Sequence, residues 1–154
     1  MTTYDLAYCD KYTGEVQQIC SVNNNTDYSD GDFYEDKRVF LVPSDADHIQ
    51  LIEETYYDYD TGGFLARSQQ PGEFFVWKAT KAWEVDEDSL LAALRQARDM
   101  KLYACDWTQG QDSILTDEKI AEWATYRAVL RDVPDNLPEE FETLAGFNWP
   151  TQPS

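Results

Sequence analysis

The sequence is poor in basic residues, and this shortage excludes whole classes of partner. Its 154 residues include 12 lysines and arginines against 30 aspartates and glutamates, which gives a formal net charge of −18. Nucleic acids and anionic membranes are bound through basic faces, so we predict no nucleic-acid partner and no membrane partner. No apolar run reaches the roughly 18 residues of a membrane span, and the first residues lack the features of a signal peptide. We expect a soluble protein that is not secreted.

Metal-ligating and nucleophilic residues are also scarce. The only histidine is His48, and the three cysteines, Cys9, Cys20 and Cys105, form no CxxC pair. These are too few ligands for a zinc site, so we predict no metal and no cofactor. No Gly-x-Ser-x-Gly motif accompanies His48, which we interpret as a solvated loop histidine. Free structural thiols are our interpretation of the cysteines, and a Cys9–Cys20 disulfide would require the two to face each other across a hairpin.

Carboxylates are abundant, but no arrangement of them indicates a particular site. Placing Gly31 at the glycine position of an EF-hand loop puts Thr26 and Tyr28 at ligand positions and Lys37 at the bidentate position, which no calcium site accepts. Placing Gly63 there leaves Gln69 at that last position. A looser calcium site in an Asp-rich loop stays open. Because 30 carboxylates come close to one another by chance, no catalytic dyad can be isolated, and we predict that the protein is not an enzyme.

The first half of the chain has the pattern of strands and turns. Two apolar segments flank a turn that ends in Thr13-Gly14, and two more flank a turn that ends in Thr61-Gly62, so we predict two hairpins. The polar stretch 23–36 is predicted to be a loop, and the apolar run 38–42 a strand. Residues 74–77 and 82–85 are predicted to pair. We therefore expect residues 1–85 to form an acidic, β-rich module.

Helical spacing begins after residue 85. Asp86 and the residues that follow supply capping groups, and leucines then recur at steps of three and four. A second helix is predicted to begin with Thr116 as its N-cap and to end at Pro134, because proline disfavours a helical conformation in the preceding residue. Residues 105–110 would join the two helices, and the last twenty residues would be mostly extended. The fold class is α+β, with a helical hairpin and a C-terminal tail in residues 86–154.

Aromatic and arginine side chains gather in this second half. Two alternatives stand for them: a packed core, or anchors for a partner, since interfaces favour Trp and Arg. We expect Trp123 and Leu130 to pack against Leu94 and Leu102. Trp149, in a tail bounded by prolines, either folds back onto the helical hairpin or docks on a partner.

The motifs of the second half resemble one known family. In order, the chain has Arg98-Asp99, then Asp-Trp-Thr-Gln at 106–109, then Trp-Ala-Thr-Tyr-Arg at 123–127, then Leu-Arg-Asp-Val-Pro at 130–134, and finally Trp149-Pro150. This series, over roughly residues 95–153, resembles the tail fibre assembly (tail assembly chaperone) proteins of tailed bacteriophages. Two departures are the Met100–Tyr103 segment and the long acidic N-terminal part.

The resemblance implies a non-enzymatic protein that binds a phage tail fibre or another tail protein and assists its assembly in the host cytoplasm. The alternative is a permanent virion component, a hinge or adaptor in the tail. Self-association stays open. The arginines and the neighbouring acid of the second helix either hold the hairpin and tail together or contact the partner. The candidate partner-binding residues are Trp107, Trp123, Tyr126, Arg127, Arg131, Asp132, Pro134, Trp149 and Pro150.

Overall fold

The computed structural model describes residues 3–23 and 29–154, and it shows an α+β protein. The chain divides into two compact units. One unit runs to Pro71 and resumes at Phe75–Glu84, and the other takes Gly72–Phe74 and Val85–Ser154.

The strands and helices follow one another in two blocks. The strands are β1 (Thr3–Asp10), β2 (Val16–Asn23), β3 (Asp32–Tyr34), β4 (Lys37–Leu41), β5 (Thr55–Asp58), β6 (Gly63–Ala66), β7 (Phe75–Trp77) and β8 (Trp83–Val85). The helices are α1 (His48–Glu54), which lies between β4 and β5, and α2 (Glu87–Ala104) and α3 (Asp117–Asp132). Two short 3-10 helices, Asp106–Gln109 and Val133–Asp135, follow α2 and α3.

The first unit is built on an antiparallel sheet with strand order β2-β1-β4-β3. One face of this sheet carries the core cluster of Ala7, Cys9, Val16 and Phe40, all buried. Side chains of α1 and of the β5–β6 hairpin pack against that cluster, and the Phe40 and Tyr57 rings stack with centroids 3.4 Å apart. The predicted hairpins, the strand near 38–42 and the strand pair β7–β8 are all present.

The two predicted hairpin turns have the same internal chemistry. The Asp10 carboxylate accepts from the Tyr12 and Thr13 N–H groups, and the Asp10 carbonyl accepts from the Gly14 N–H at 2.9 Å. In the second turn the Asp58 carboxylate accepts from the Asp60 N–H and the Thr61 hydroxyl, and the Asp58 carbonyl accepts from the Gly62 N–H. Gly14 has φ +72°, and a Cβ there would lie 2.0 Å from the Tyr57 carbonyl oxygen, so only glycine fits.

The prediction that His48 lies in a loop is wrong, because His48 is the first residue of α1. Asp47 caps this helix by accepting from the Ile49 and Gln50 N–H groups at 2.8 and 3.1 Å. The His48 ring also lies against Asp5, with 3.0 Å between Nε2 and the carboxylate. The sequence did not indicate α1, since this short helix buries only Leu51 and has no apolar period to detect.

One further expectation for the first unit is corrected, and one is confirmed. The predicted loop 23–36 contains the strand β3, which pairs with β4 although all three of its residues are exposed; residues 24–28, with Thr26 and Tyr28 of the rejected EF-hand alignment, lie outside the described residues. The interpretation of the cysteines as free thiols is confirmed, because Cys9 lies opposite Val16 and Cys20 opposite Leu6, and all three cysteines are free.

The second unit contains α2 and α3 in contact with each other. Their N-caps are the predicted ones, because Asp86 accepts from the Ser89 N–H and Thr116 from the Lys119 N–H. The helix α3 ends at Asp132, just before Pro134 as predicted, but not for the predicted reason. Val133 stays helical (φ −52°, ψ −47°) although Pro134 follows it, and Pro134 lies in the first positions of a 3-10 turn, where its missing N–H leaves no bond unmade.

Candidate partner-binding site

The second unit has a small aromatic core at the junction of its two helices. Cys105, Trp123, Tyr126 and Leu130 are buried together there, and Leu102, Leu115 and Trp149 pack against them. The Trp123 and Tyr126 rings meet edge to face at 5.8 Å between centroids. Burial raises the pKa of the Tyr126 hydroxyl, which keeps it neutral. As predicted, Leu102 is the α2 residue that meets this cluster. Leu94 is buried but is not part of it.

Arg127 joins α3 to the end of α2. Its Nη1 donates to the Leu102 carbonyl oxygen at 2.8 Å and to the Cys105 sulfur at 3.1 Å, and its Nη2 lies 2.7 Å from the Asp106 carboxylate. The side chain is only 11% exposed. Burial lowers the pKa of Arg127, but the bonds to Asp106 and Cys105 outweigh it, so the net shift is upward. These contacts make Arg127 an internal brace of the unit, with no direct bond to the tail.

The tail folds back on the helices. The Trp149 ring packs on the aromatic core, meets Phe147 edge to face at 4.9 Å and has the Lys101 ammonium 5.0 Å from its centroid. Beyond it, Lys119 Nζ donates to the Ser154 carbonyl oxygen at 2.9 Å. Of the two alternatives for Trp149, the packed arrangement is the one in this structure. A groove of about 490 Å³ remains beside it, lined on one side by Met100 and Lys101 of α2.

Three apolar side chains near the end of α2 face solvent instead. Met100 is 63% exposed, Tyr103 is 81% exposed and Trp107 is 55% exposed. Met100 and Tyr103 line the same shallow depression on α2, and Trp107 lies in the 3-10 helix that follows, with its ring 6.3 Å from Trp123. We call Met100, Tyr103 and Trp107 the apolar surface. Large exposed apolar groups of this kind are typical of protein-binding sites.

The structure brings some candidate residues together and separates others. Trp107, Trp123, Tyr126, Arg127 and Trp149 all lie around the aromatic core. The other candidates lie elsewhere in the unit. Arg131 and Asp132 are exposed near the end of α3, Pro134 is half-buried in the cleft between α2 and the start of the tail, and Pro150 is half-buried in the tail.

Sequence reasoning did not single out Thr108, Cys105 or Asp106, which support the site. Thr108 is fully buried and donates from its hydroxyl to the Cys105 carbonyl at 2.7 Å. Asp106 pairs with Arg127, which lies 21 residues later in the sequence. The only sign in the sequence of a role for Asp106 is its place in the Asp-Trp-Thr-Gln motif. In the sequence, Met100 and Tyr103 stand out only as departures from the family pattern, because exposure cannot be read from helical spacing alone.

Neither unit offers a metal centre within residues 3–23 and 29–154, where no group of three or more His, Cys, Asp or Glu side chains has a metal-binding arrangement. In the same part of the chain, no helix has the length and apolar character needed to cross a bilayer.

The comparison with protein families agrees with the resemblance drawn from the motifs. The family described as phage tail assembly chaperone protein matches residues 91–154. No curated protein and no solved structure matches the chain. The matched range begins in α2 and contains the aromatic core, the Arg127 brace, the apolar surface and the tail. Residues 91–154 are therefore similar to the phage tail assembly chaperone family, consistent with the resemblance of the motifs.

Proposed function

We propose that this protein binds a tail-fibre polypeptide and assists its assembly, without covalent chemistry. The family match supports a chaperone-like role in phage tail assembly, and it carries the proposal. Proteins of this family are generally non-enzymatic, and this one would act in the host cytoplasm while the tail is assembled. Beyond that role, we propose that the partner is the tail fibre.

The apolar surface is the proposed contact for the fibre chain. Met100, Tyr103 and Trp107 lie within the matched segment, yet they do not belong to its core. Because Tyr and Trp bury a large area with little loss of conformational entropy, they act as anchors when a partner covers them. An assembly chaperone needs such a surface, since it must cover apolar parts of an unassembled chain that would otherwise aggregate.

Co-expression tests the proposal. The fibre subunit of the same phage is produced alone, with the wild-type protein, and with the variant Met100→Ala/Tyr103→Ala. We expect the wild type to raise the yield of soluble fibre several-fold and the double variant to lose most of that gain. Ile114→Ala is the matched control, because Ile114 is an apolar side chain that is 95% exposed in the same unit. An unchanged fibre yield with the wild type would contradict the proposal.

A permanent virion component, a hinge or adaptor, is the second candidate. The first unit supports this candidate, because it is a separate acidic, β-rich unit outside the matched segment. Such a unit would attach the chain to the tail. The two candidates differ in whether the chain remains in finished particles.

A further inference from the structure

The charge beside the apolar surface differs in sign from the charge of the whole chain. Residues 89–105, which cover most of α2, contain three basic side chains and one acidic side chain, Asp99. The three basic ones are Arg95, Arg98 and Lys101. The whole chain has a formal net charge of −18. The apolar surface therefore lies beside a locally basic stretch of an acidic protein.

The carboxylates next to the apolar surface in the sequence are already paired. Asp99 lies 2.8 Å from Arg98 Nη2, and its carboxylate also accepts from Arg98 Nε at 2.9 Å. The Asp106 carboxylate lies 2.7 Å from Arg127 Nη2. Each of these acids is balanced by its own arginine, so neither offsets the charge of the other cations nearby.

Two cations beside the apolar surface have no acidic partner. Arg95 is exposed and lines the same shallow depression as Met100 and Tyr103. Lys101 lines the groove that Met100 also lines, with its ammonium 5.0 Å from the centroid of the Trp149 ring. In the part of the chain that the structure describes, neither Arg95 nor Lys101 makes an ion pair with a carboxylate. Their N–H donors are therefore free to bind an acid of another chain.

Charges this close to the apolar surface decide which partner segment it accepts. Charges more than about 8 Å apart are largely screened at physiological ionic strength, so Arg95 and Lys101 act on a bound segment more strongly than distant acids do. A basic segment would bring like charges together in the contact, which lowers affinity and selects against such a partner. A segment with carboxylates would instead form charge-assisted hydrogen bonds with the two cations.

We propose that the apolar surface binds an apolar segment of its partner that also carries carboxylates, and that Arg95 and Lys101 recognise those acids. Arg95 precedes Tyr103 by just over two helical turns, about 12 Å along α2, so an acid and an apolar residue of the segment should be separated by a similar distance. A second copy of this chain is the poorer occupant, because its own net charge of −18 opposes association of two whole molecules. This inference rests on the proposed function, since it gives the chemistry of the segment that occupies the same surface.

A charge-reversal variant, measured at two salt concentrations, tests the inference. The probe is the fibre subunit of the same phage, titrated against the protein. Arg95→Glu should weaken binding about tenfold at about 50 mM salt and less than about threefold at about 300 mM salt, because salt screens the lost attraction. Since Arg95 is exposed and has no ion pair to lose, the melting temperature of this variant should stay close to that of the wild type.

Arg131→Glu is the matched control for this variant. Arg131 is also an exposed arginine on a helix of this unit, but it is not among the side chains that line the depression or the groove. The control makes the same change in net charge, and it should leave the affinity for the fibre subunit within about twofold of the wild type. Equal losses in Arg95→Glu and Arg131→Glu would show a general effect of charge and overturn the inference.

Overlapping peptides that cover the fibre subunit provide a second, independent measurement. We expect the peptides that bind to combine apolar residues with aspartate or glutamate. Replacing those acids by asparagine or glutamine should weaken peptide binding about tenfold. The same peptides should bind poorly to Met100→Ala/Tyr103→Ala, which would place them on the apolar surface.

The outcomes that overturn the inference are separable from failure of the proposed function. If Met100→Ala/Tyr103→Ala weakens fibre binding while Arg95→Glu does not, the inference is wrong but the proposed function stands. Peptides that bind and are neutral or basic would lead to the same conclusion. If the wild type binds no fibre subunit, both fail. Self-association that Arg95→Glu abolishes would make a second copy of this chain the occupant instead.

Discussion

Arg67 and Arg127 hold helix ends in the two units by the same chemistry. Arg67 donates to the Glu53 carbonyl at 2.9 Å and pairs with the Glu15 carboxylate, just as Arg127 donates to the Leu102 carbonyl and pairs with Asp106. The last carbonyls of a helix have no partner within it, and their partial negative charge favours a cation. A planar guanidinium spreads its N–H donors over a rigid fork and so holds a carbonyl and a carboxylate in fixed directions, whereas an ammonium is a point charge on a flexible stem.

Arg127→Lys tests whether the geometry of this brace matters more than its charge. The lysine keeps the positive charge but cannot reach Leu102, Cys105 and Asp106 together, so the free energy of unfolding of the second unit should fall by about 2 kcal/mol. Denaturant titration followed by Trp fluorescence measures this change. Arg131→Lys, at an exposed residue of the same helix, should change stability by less than about 0.5 kcal/mol. Equal effects of the two variants would contradict the brace.

Asp58 links the stability of the first unit to pH. Hydrogen bonds from Lys81 and Thr61, which outweigh the opposing effect of burial, hold the pKa of the Asp58 carboxyl below its ordinary value. The carboxylate therefore stabilises the folded state at pH values above the pKa of an unfolded Asp, near 3.9, and this stabilisation is lost as pH falls through the lower folded pKa. Asp10, whose pKa is also lowered by its turn bonds, acts in the same direction.

We expect the melting temperature of Asp58→Asn to fall less steeply than that of the wild type between about pH 5 and pH 2, because the variant has no carboxylate whose stabilisation is lost below the pKa of an unfolded Asp. Melting curves across that range provide the measurement. Asp60→Asn is the control, since Asp60 contacts the same lysine from an exposed position. If the wild type and Asp58→Asn lose stability in parallel below pH 5, the assigned role of Asp58 is wrong.

Among the larger elements, the C-terminal tail packs on the aromatic core of the second unit through Trp149. Trp149 is half-buried against the aromatic core, and it lies far in sequence from the helices it contacts. Trp149→Ala should lower the free energy of unfolding of this unit by about 2 kcal/mol, less than for a fully buried Trp. Trp149→Phe keeps an aromatic ring and should cost about half as much. Unchanged melting of Trp149→Ala, together with lost fibre binding, would point to docking of the tail on the partner instead.

Elements with strong local chemistry could be predicted from the sequence. The turns at Asp10 and Asp58 were identifiable because the Thr-Gly pair has a specific backbone role there, and the N-caps Asp86 and Thr116 because each precedes an apolar helical period. The α+β class followed from this contrast between the two halves of the chain.

The elements that were missed are held by contacts distant in sequence. The strand β3 has three exposed residues and exists because β4 offers it an edge, and α1 depends on one cap and one buried leucine. The Asp106–Arg127 pair could not be derived from spacing either. Such features depend on packing between distant residues, which local sequence propensities do not reveal.

The net charge is the feature of the whole molecule that limits its partners most. With a formal net charge of −18, the chain should be repelled by the phosphate backbone of DNA. Its few basic side chains should form no face large enough to displace counterions from that backbone. We predict no shift of a double-stranded DNA fragment by this protein at about 150 mM salt and micromolar concentration, a range in which DNA-binding proteins do bind non-specifically. A gel-shift assay with a basic protein as positive control measures this. Binding in the micromolar range would contradict the prediction.

Quantitative mass spectrometry of density-purified phage particles, compared with the infected lysate, tests the central claim most directly. The claim is that this chain acts during tail assembly and does not remain in the product. We predict that the protein is abundant in the lysate and that purified particles contain far less than one copy for each tail fibre. A fixed, stoichiometric copy number in the particles would contradict transient assistance and identify the chain as a permanent part of the tail.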